Sequence, residues 1–221
     1  MINQHMTTAT VDRGLTPDEL DILQEVVNIS FGKASSDLAE VVDVFVVMSI
    51  PQVKVLRESE VKDYLISEVG AAGASSVIEQ HFWGRFKGAA LLFFTPEAGV
   101  ALTYLLNEGD GQADGDEEIE RARESMMVAG GILAGACVAN IAQCLDDMVT
   151  YSAPCYADVS NIKARVPGES DTTERDRLTV AIKTPFSFDN DGINGFLMLV
   201  AAPDALGWLK VSLNRFMERY G

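Results

Sequence analysis

"DILQEVVNISFGKASSDLAEVV", residues 21–42, can be laid over "ESMMVAGGILAGACVANIAQCL", residues 124–145, without a gap. Asp21 falls on Glu124, Gly32 on Gly135 and, further on, Pro51 on Pro154, each pair 103 residues apart. A second match joins "FKGAALLFFTPEAGVALTYLL" (86–106) to "INGFLMLVAAPDALGWLKVSL" (193–213), now 107 apart, with Gly88 on Gly195 and Pro96 on Pro203. A constant offset over this length marks an internal duplication. The four additional residues of the second copy belong in its hairpin loops, where lengthening the chain costs least.

Each copy reads helix, strands, helix. A long helix is predicted over Pro17–Val42, with extended segments near 44–55, 74–82 and 87–94 that are rich in Val, Ile and Phe. Pro96 suits the first turn of a short helix ending near Leu106, because its missing N–H is not needed there. The second copy predicts a helix over 119–145, strands near 155–165, 177–186 and 193–201, and a helix from Pro203. "DNDG" (189–192) is a hairpin turn, so the neighbouring strands are antiparallel, and "GESDTTERD" (168–176) reads as a polar hairpin tip. The expected architecture is α+β: one domain, residues 1–221, of two repeats (16–107 and 119–219) joined by an acidic linker at 108–118. An antiparallel sheet carries packed helices, and a pseudo-two-fold axis relates the halves.

Composition narrows the function. With 221 residues, 48% of them hydrophobic, the chain can build a core without disulfides or metal. A formal net charge of −16 repels phosphate backbones and anionic lipid, so neither nucleic acid nor a membrane is expected as partner. Cys137, Cys144 and Cys155 lack metal-ligand spacing, and an odd count suggests a reducing compartment. "MINQHMTTATVDRG" has no apolar core of a secretory signal, and the apolar stretch 126–141 is interrupted by Gly130, Gly131, Gly135 and Asn140. A soluble cytoplasmic protein is expected.

The first long helix carries an unusual side. At about 100° per residue with Leu23 at zero, Leu20, Val27, Phe31, Ala34, Leu38 and Val41 fall within about 80° of one another and form the buried stripe. Ile22, Val26 and Ile29 widen that apolar coverage, while Asn28, Asp21, Gly32 and Glu25 share a narrow strip opposite. Such a strip is ordinarily just the wet side of a helix. Three features set this one apart. Gly32 costs the helix about 1 kcal/mol relative to alanine yet clears space for an approaching surface. Pro51 follows at the start of an extended run. The duplicated helix keeps Glu124 and Gly135 but has Val128 and Gly131 where Glu25 and Asn28 would be. A side needed only for solubility would have stayed polar in both copies.

"DILQEVVNISFGKASSDL" followed by "SIPQV" resembles the CheC/CheX/FliY family of chemotaxis phosphatases, whose signature is Asp or Ser, three residues, Glu, two residues, Asn and a downstream Pro. The resemblance spans residues 16–215, duplication included. It implies a CheC-like fold and action on the phosphorylated aspartate of a CheY-type response regulator. Glu25 would contact the regulator's active-site lysine and Asn28 would orient the hydrolytic water, with Asp21 tuning the glutamate and Gly32 beside them. The chain needs no cofactor or metal of its own, since magnesium arrives with the regulator. Glu124, Val128 and Gly131 would be a degenerate second site, and its apolar face should be packed by the chain's own segments or in a homodimer. The resemblance extends to the middle domain of the flagellar switch protein FliM, so the alternative is a non-catalytic binding or adaptor module for a response regulator or switch component. Retention of Glu25 and Asn28 weighs against the scaffold, but an adaptor that binds without hydrolysing makes the same contacts and stays open.

Other signals carry less. "DGQADGDEEIER" (110–121) has the look of a calcium loop but ends in Arg121, where a bidentate glutamate is required. Cys137 and Cys144 read as small core residues, and His81 as a strand-surface residue.

Overall fold

The computed structural model describes residues 14–42, 46–106, 115–159, 177–188 and 193–220. Helix α1 (Pro17–Val42) starts on a capping box: the Thr16 N–H donates to Glu19 Oε2 at 2.8 Å, and the Glu19 N–H donates to Thr16 Oγ1 at 3.2 Å. Strands β1 (Val46–Met48) and β2 (Gln52–Arg57) follow, broken at Pro51, which has no N–H to give a ladder. Helix α2 (Glu58–Ala72) leads into β3 (Ser76–Trp83), β4 (Gly88–Phe94) and α3 (Ala98–Leu106). The second repeat supplies α4 (Asp116–Cys144), β5 (Thr150–Tyr151), β6 (Cys155–Asp158), β7 (Leu178–Phe188), β8 (Asn194–Ala201), a 3-10 turn at Pro203–Ala205 and α5 (Leu206–Tyr220).

The described strands form one antiparallel sheet in the order β1-β7-β8-β4-β3-β5, with β2 also on β7 and β6 also on β3. Its register is symmetric under exchange of the repeats. At the centre Leu91 faces Met198, the residue equivalent to it, while Gly88 faces Ala201 and Phe94 faces Gly195. At the edges Gln52 faces Lys183, and in the same relation Cys155 faces Glu79. The hairpins β3–β4 and β7–β8 lie within their own repeats, as the turn residues predict. The edge strands do not. The first repeat's β1 and β2 seal β7, and the second repeat's β5 and β6 seal β3. The halves are therefore interleaved.

Helices α1 and α4 run antiparallel across one side of the sheet, meeting through Ser30–Cys144, Lys33–Gln143 and Asp37–Asn140. The last pair is itself an equivalent pair, joined at 3.3 Å, so the pseudo-two-fold passes between Asp37 and Asn140 and on to Leu91 and Met198. Beneath the helices lies the larger core, including Leu23, Val27, Phe31, Ile78, Leu133, Ile182 and Leu197, all nearly inaccessible. On the other side α2 lays Val61, Leu65 and Val69 over Val77, Leu91, Met198 and the stacked rings of Phe93 and Phe196, 4.5 Å apart.

Several expectations change. No element was predicted over Glu58–Ala72, where α2 stands with its Glu60 carboxylate accepting the Arg57 N–H at 2.8 Å and Gly73 closing it at φ 63°. Helix α4 begins at Asp116, so Asp116, Glu117 and Glu118, assigned to the linker, make its first turn, where carboxylates suit the helix dipole. Strand β6 ends at Asp158 and pairs with β3, and both "GESDTTERD" and the "DNDG" turn lie outside the described residues. At 29 residues α4 is long and apolar enough to cross a membrane by length and composition, its interruptions notwithstanding. Most of its apolar part is buried within the chain, as in a core helix.

Candidate functional site

The burial of α1 sorts its residues as the periodicity predicts. Leu23, Val26, Val27, Phe31 and Ala34 are almost wholly inaccessible, and Leu20 and Ile22 are half-buried; the side chains of Leu38 and Val41 lie outside the described residues. Asp21, Glu25, Asn28 and Gly32 are all exposed. Among the described residues, the side chains of Asp21, Glu25 and Asn28 make no hydrogen bond or ion pair. Two carboxylates and a carboxamide thus point into solvent along one line, with Glu25 and Asn28 one turn apart and their Cβ atoms about 5–6 Å from each other. A bare row of this kind contributes nothing to holding the helix in place, and the buried stripe behind it fixes the row rigidly.

Two features shape the surroundings. The first is the break between β1 and β2. In the second repeat, a Cβ added at Gly131 would meet Pro154 Cγ at 3.1 Å, so Pro154 packs against its helix at the turn equivalent to Asn28. Pro51 holds the corresponding place and is buried, and the Ser49 N–H donates to the Pro185 carbonyl (2.9 Å) as the Ser152 N–H does to that of His81 (3.0 Å). The second feature is apolar. Ile29, expected to extend the buried stripe, is 48% exposed beside Asn28, and Ile50, next to Pro51, is 72% exposed. The 240° position of Ile29 lies beyond the reach of the sheet, which sequence periodicity alone does not reveal. Gly32 has open space where its Cβ would be, so no packing within the chain requires a glycine there.

The equivalent face of α4 has no such chemistry. Val128 is 52% exposed, Glu124 and Ala139 are exposed, and Gly135 borders open space. The expectation that the chain's own segments pack this face holds only in part: Pro154 covers Gly131, and the Tyr151 hydroxyl donates to the Gly135 carbonyl at 3.2 Å. The rest is bare. Of the remaining candidates, Cys137 is fully buried and burial pushes its thiol far above the usual range, Arg121 pairs with Glu117 at 2.6 Å in α4, and His81 Nε2 lies 2.9 Å from the Glu79 carboxylate on β3.

No protein-family model and no curated protein matches this sequence at a significant level. Solved structures match it in fold. FliY of Thermotoga maritima is 15% identical, with 91% of this chain and 98% of that one covered and a TM-score of 0.65. The FliM middle domain from H. pylori is 11% identical over 91% and 99% of the two chains, with a TM-score of 0.52. A CheX–CheY–BeF3–Mg2+ complex from Borrelia burgdorferi matches at 17% identity, 80% and 98% coverage and a TM-score of 0.50. The chain has the CheC-like fold shared by these chemotaxis proteins.

Proposed function

We propose that this chain serves in chemotaxis signalling as a phosphatase for the aspartyl phosphate of a CheY-type response regulator, with Glu25 and Asn28 as its working pair. The observation that carries this reading is their exposure, without side-chain partners among the described residues, on a helix otherwise pinned to the core. A fold relative, CheX, has been solved together with CheY, which supports a receiver domain as the kind of partner such a fold takes.

The chemistry fits these residue types. An acyl phosphate is already activated, so hydrolysis is limited by aligning a water in line with the bond that breaks. The water oxygen bonds to phosphorus, the bond to the aspartyl oxygen breaks, and the electron pair leaves with the regenerated carboxylate; the water's protons pass to inorganic phosphate and solvent. The Asn28 amide oxygen accepts one hydrogen bond from that water, and a carboxamide does so at any pH near neutrality. Glu25 pairs with a lysine of the receiver domain, Asp21 one turn earlier positions it, and Gly32 leaves room for the partner's backbone. The divalent ion is assigned to the receiver domain, beside the phosphoryl group it would neutralise.

The deciding measurement is phosphate loss from a phosphorylated receiver domain with and without this protein, alongside binding to the BeF3-loaded receiver. The protein is expected to accelerate loss severalfold or more at stoichiometric amounts. Glu25→Ala should weaken binding about tenfold or more, since it removes a charged contact whose partner is left unpaired. Glu124→Ala should change neither quantity, because its helix lacks the companion residues. A second reading, a non-catalytic module, is favoured by the FliM middle domains of the same fold. Tight binding to the BeF3-loaded receiver with no acceleration of phosphate loss would establish that reading and sink the first.

A further inference from the structure

The two repeats bury their α-helix N-termini differently, and the difference leaves a groove. In the first repeat Leu15, set by Gly14 at φ 67°, is buried just ahead of α1, and Leu206 of α5 is buried with it in the same core. The positions related to these two by the pseudo-two-fold hold Glu118 and Gly99. Val53 and Val180, which line the first repeat's core there, are matched by Tyr156 and Ser76, whose hydroxyls lie 3.1 Å apart. Where one half is filled by leucines, the other has a groove of about 250 Å³ between α3, α4 and the β3–β6 edge. A Cβ on Gly99 would meet Ala122 and Met126 at 3.1 Å, so α3 and α4 already touch at the back of the groove and cannot close it further. Its mouth keeps Val100 and Ile119 exposed.

We propose that this groove docks a short segment of a protein partner presenting an aliphatic side chain of leucine size beside a lysine or arginine. The size follows from the repeat itself, which shows leucine side chains in the matching space. It is also below the volume that usually houses a whole small ligand. The charge follows from the rim. Glu118 lines the groove without an ion pair among the described residues, Asp116 stands beside it in the first turn of α4, and the whole chain is strongly acidic. Arg123, on the groove wall, has its charge balanced by Glu120 at 3.5 Å and lies 5.0 Å over the Tyr156 ring, so Glu118 keeps its own charge for an incoming cation. The groove is independent of Glu25 and Asn28, which lie on α1, a helix that contributes nothing to its lining.

The probe is a capped hexapeptide of two leucines flanked by lysine pairs, titrated into the full chain while methyl NMR signals of Met126, Ile119 and Val100 are followed. Saturable shifts at those methyls are expected, with a dissociation constant of about 1 mM or tighter. Glu118→Leu, which installs the side chain that Leu15 has in the matching place, should abolish the shifts without lowering the melting temperature. Glu118→Lys keeps the groove open and should weaken the peptide at least threefold. Unchanged binding to Glu118→Leu, equal shifts from peptides with alanine for leucine or glutamate for lysine, or shifts centred elsewhere would each overturn the proposal.

Discussion

Asn28→Ala is expected to slow stimulated dephosphorylation on the order of a hundredfold while leaving affinity for the BeF3-loaded receiver domain within about twofold. An amide that only aligns a water acts in the transition state and little in the ground state, so its loss appears in rate rather than in binding. Two decades correspond to about 2.7 kcal/mol of barrier, the size seen when a single preorganised hydrogen-bonding group is removed. The variant will not fail by unfolding. Asn28 is exposed and makes no side-chain bond among the described residues, and alanine favours a helix over asparagine by about half a kcal/mol. Single-turnover phosphate release measured beside equilibrium binding separates the two effects. Full activity in this variant would remove Asn28 from the mechanism, whatever else the protein does.

Gly195→Ala is expected to lower stability by about 3 kcal/mol or more, and Gly88→Ala to do the same. These glycines occupy equivalent places on either side of the axis. A Cβ at Gly88 would fall far inside contact distance of the Val200 carbonyl oxygen, and one at Gly195 would collide with the Phe93 carbonyl oxygen and the Phe186 ring. The obstacle is backbone in the central ladder, which cannot swing aside as a flexible side chain would, so the β4–β8 pairing itself must open. For a chain of this length the loss corresponds to roughly 6–12 °C in melting temperature. Gly70→Ala is the control: its Cβ would meet nothing, and the exposed helical site should gain up to about 1 kcal/mol. A thermal scan in which all three variants melt alike would show that the central strands are not as closely apposed as described.

What could be read in advance depended on what leaves a periodic trace. The helix of residues 17–42 was legible because its apolar stripe and its polar strip both repeat near 3.6 residues. Its copy was legible through the offset. Helix α2 was not, because only Val61, Leu65 and Val69 face inward, a line one residue wide set between two strands. Strand β5 is two residues long and carries no period at all. The exchange of edge strands was invisible for a different reason: alternation tells which side of a strand is buried, not which strand lies beside it. The candidate site residues stood out because the duplication supplied an internal control, Val128 and Gly131 against Glu25 and Asn28. Ile50 and the α3–α4 groove were not, since each depends on where a chain break or a neighbouring helix falls in space.

The exchange of β1 and β2 for β5 and β6 bears on how such a molecule could arise. A chain of one repeat has its own hairpin but lacks the strand that seals it, and that strand, once made, reaches only a neighbour's sheet. An ancestor of half this length closes its fold only as a strand-exchanged pair of identical subunits, each carrying the same helix face. In such a pair any change to one face is a change to both. Fusion of two gene copies into one reading frame removes that bond. After it, one face can drift to Val128 and Gly131 while the other keeps Glu25 and Asn28, and the asymmetry of this chain is a divergence that a covalently joined pair is free to record.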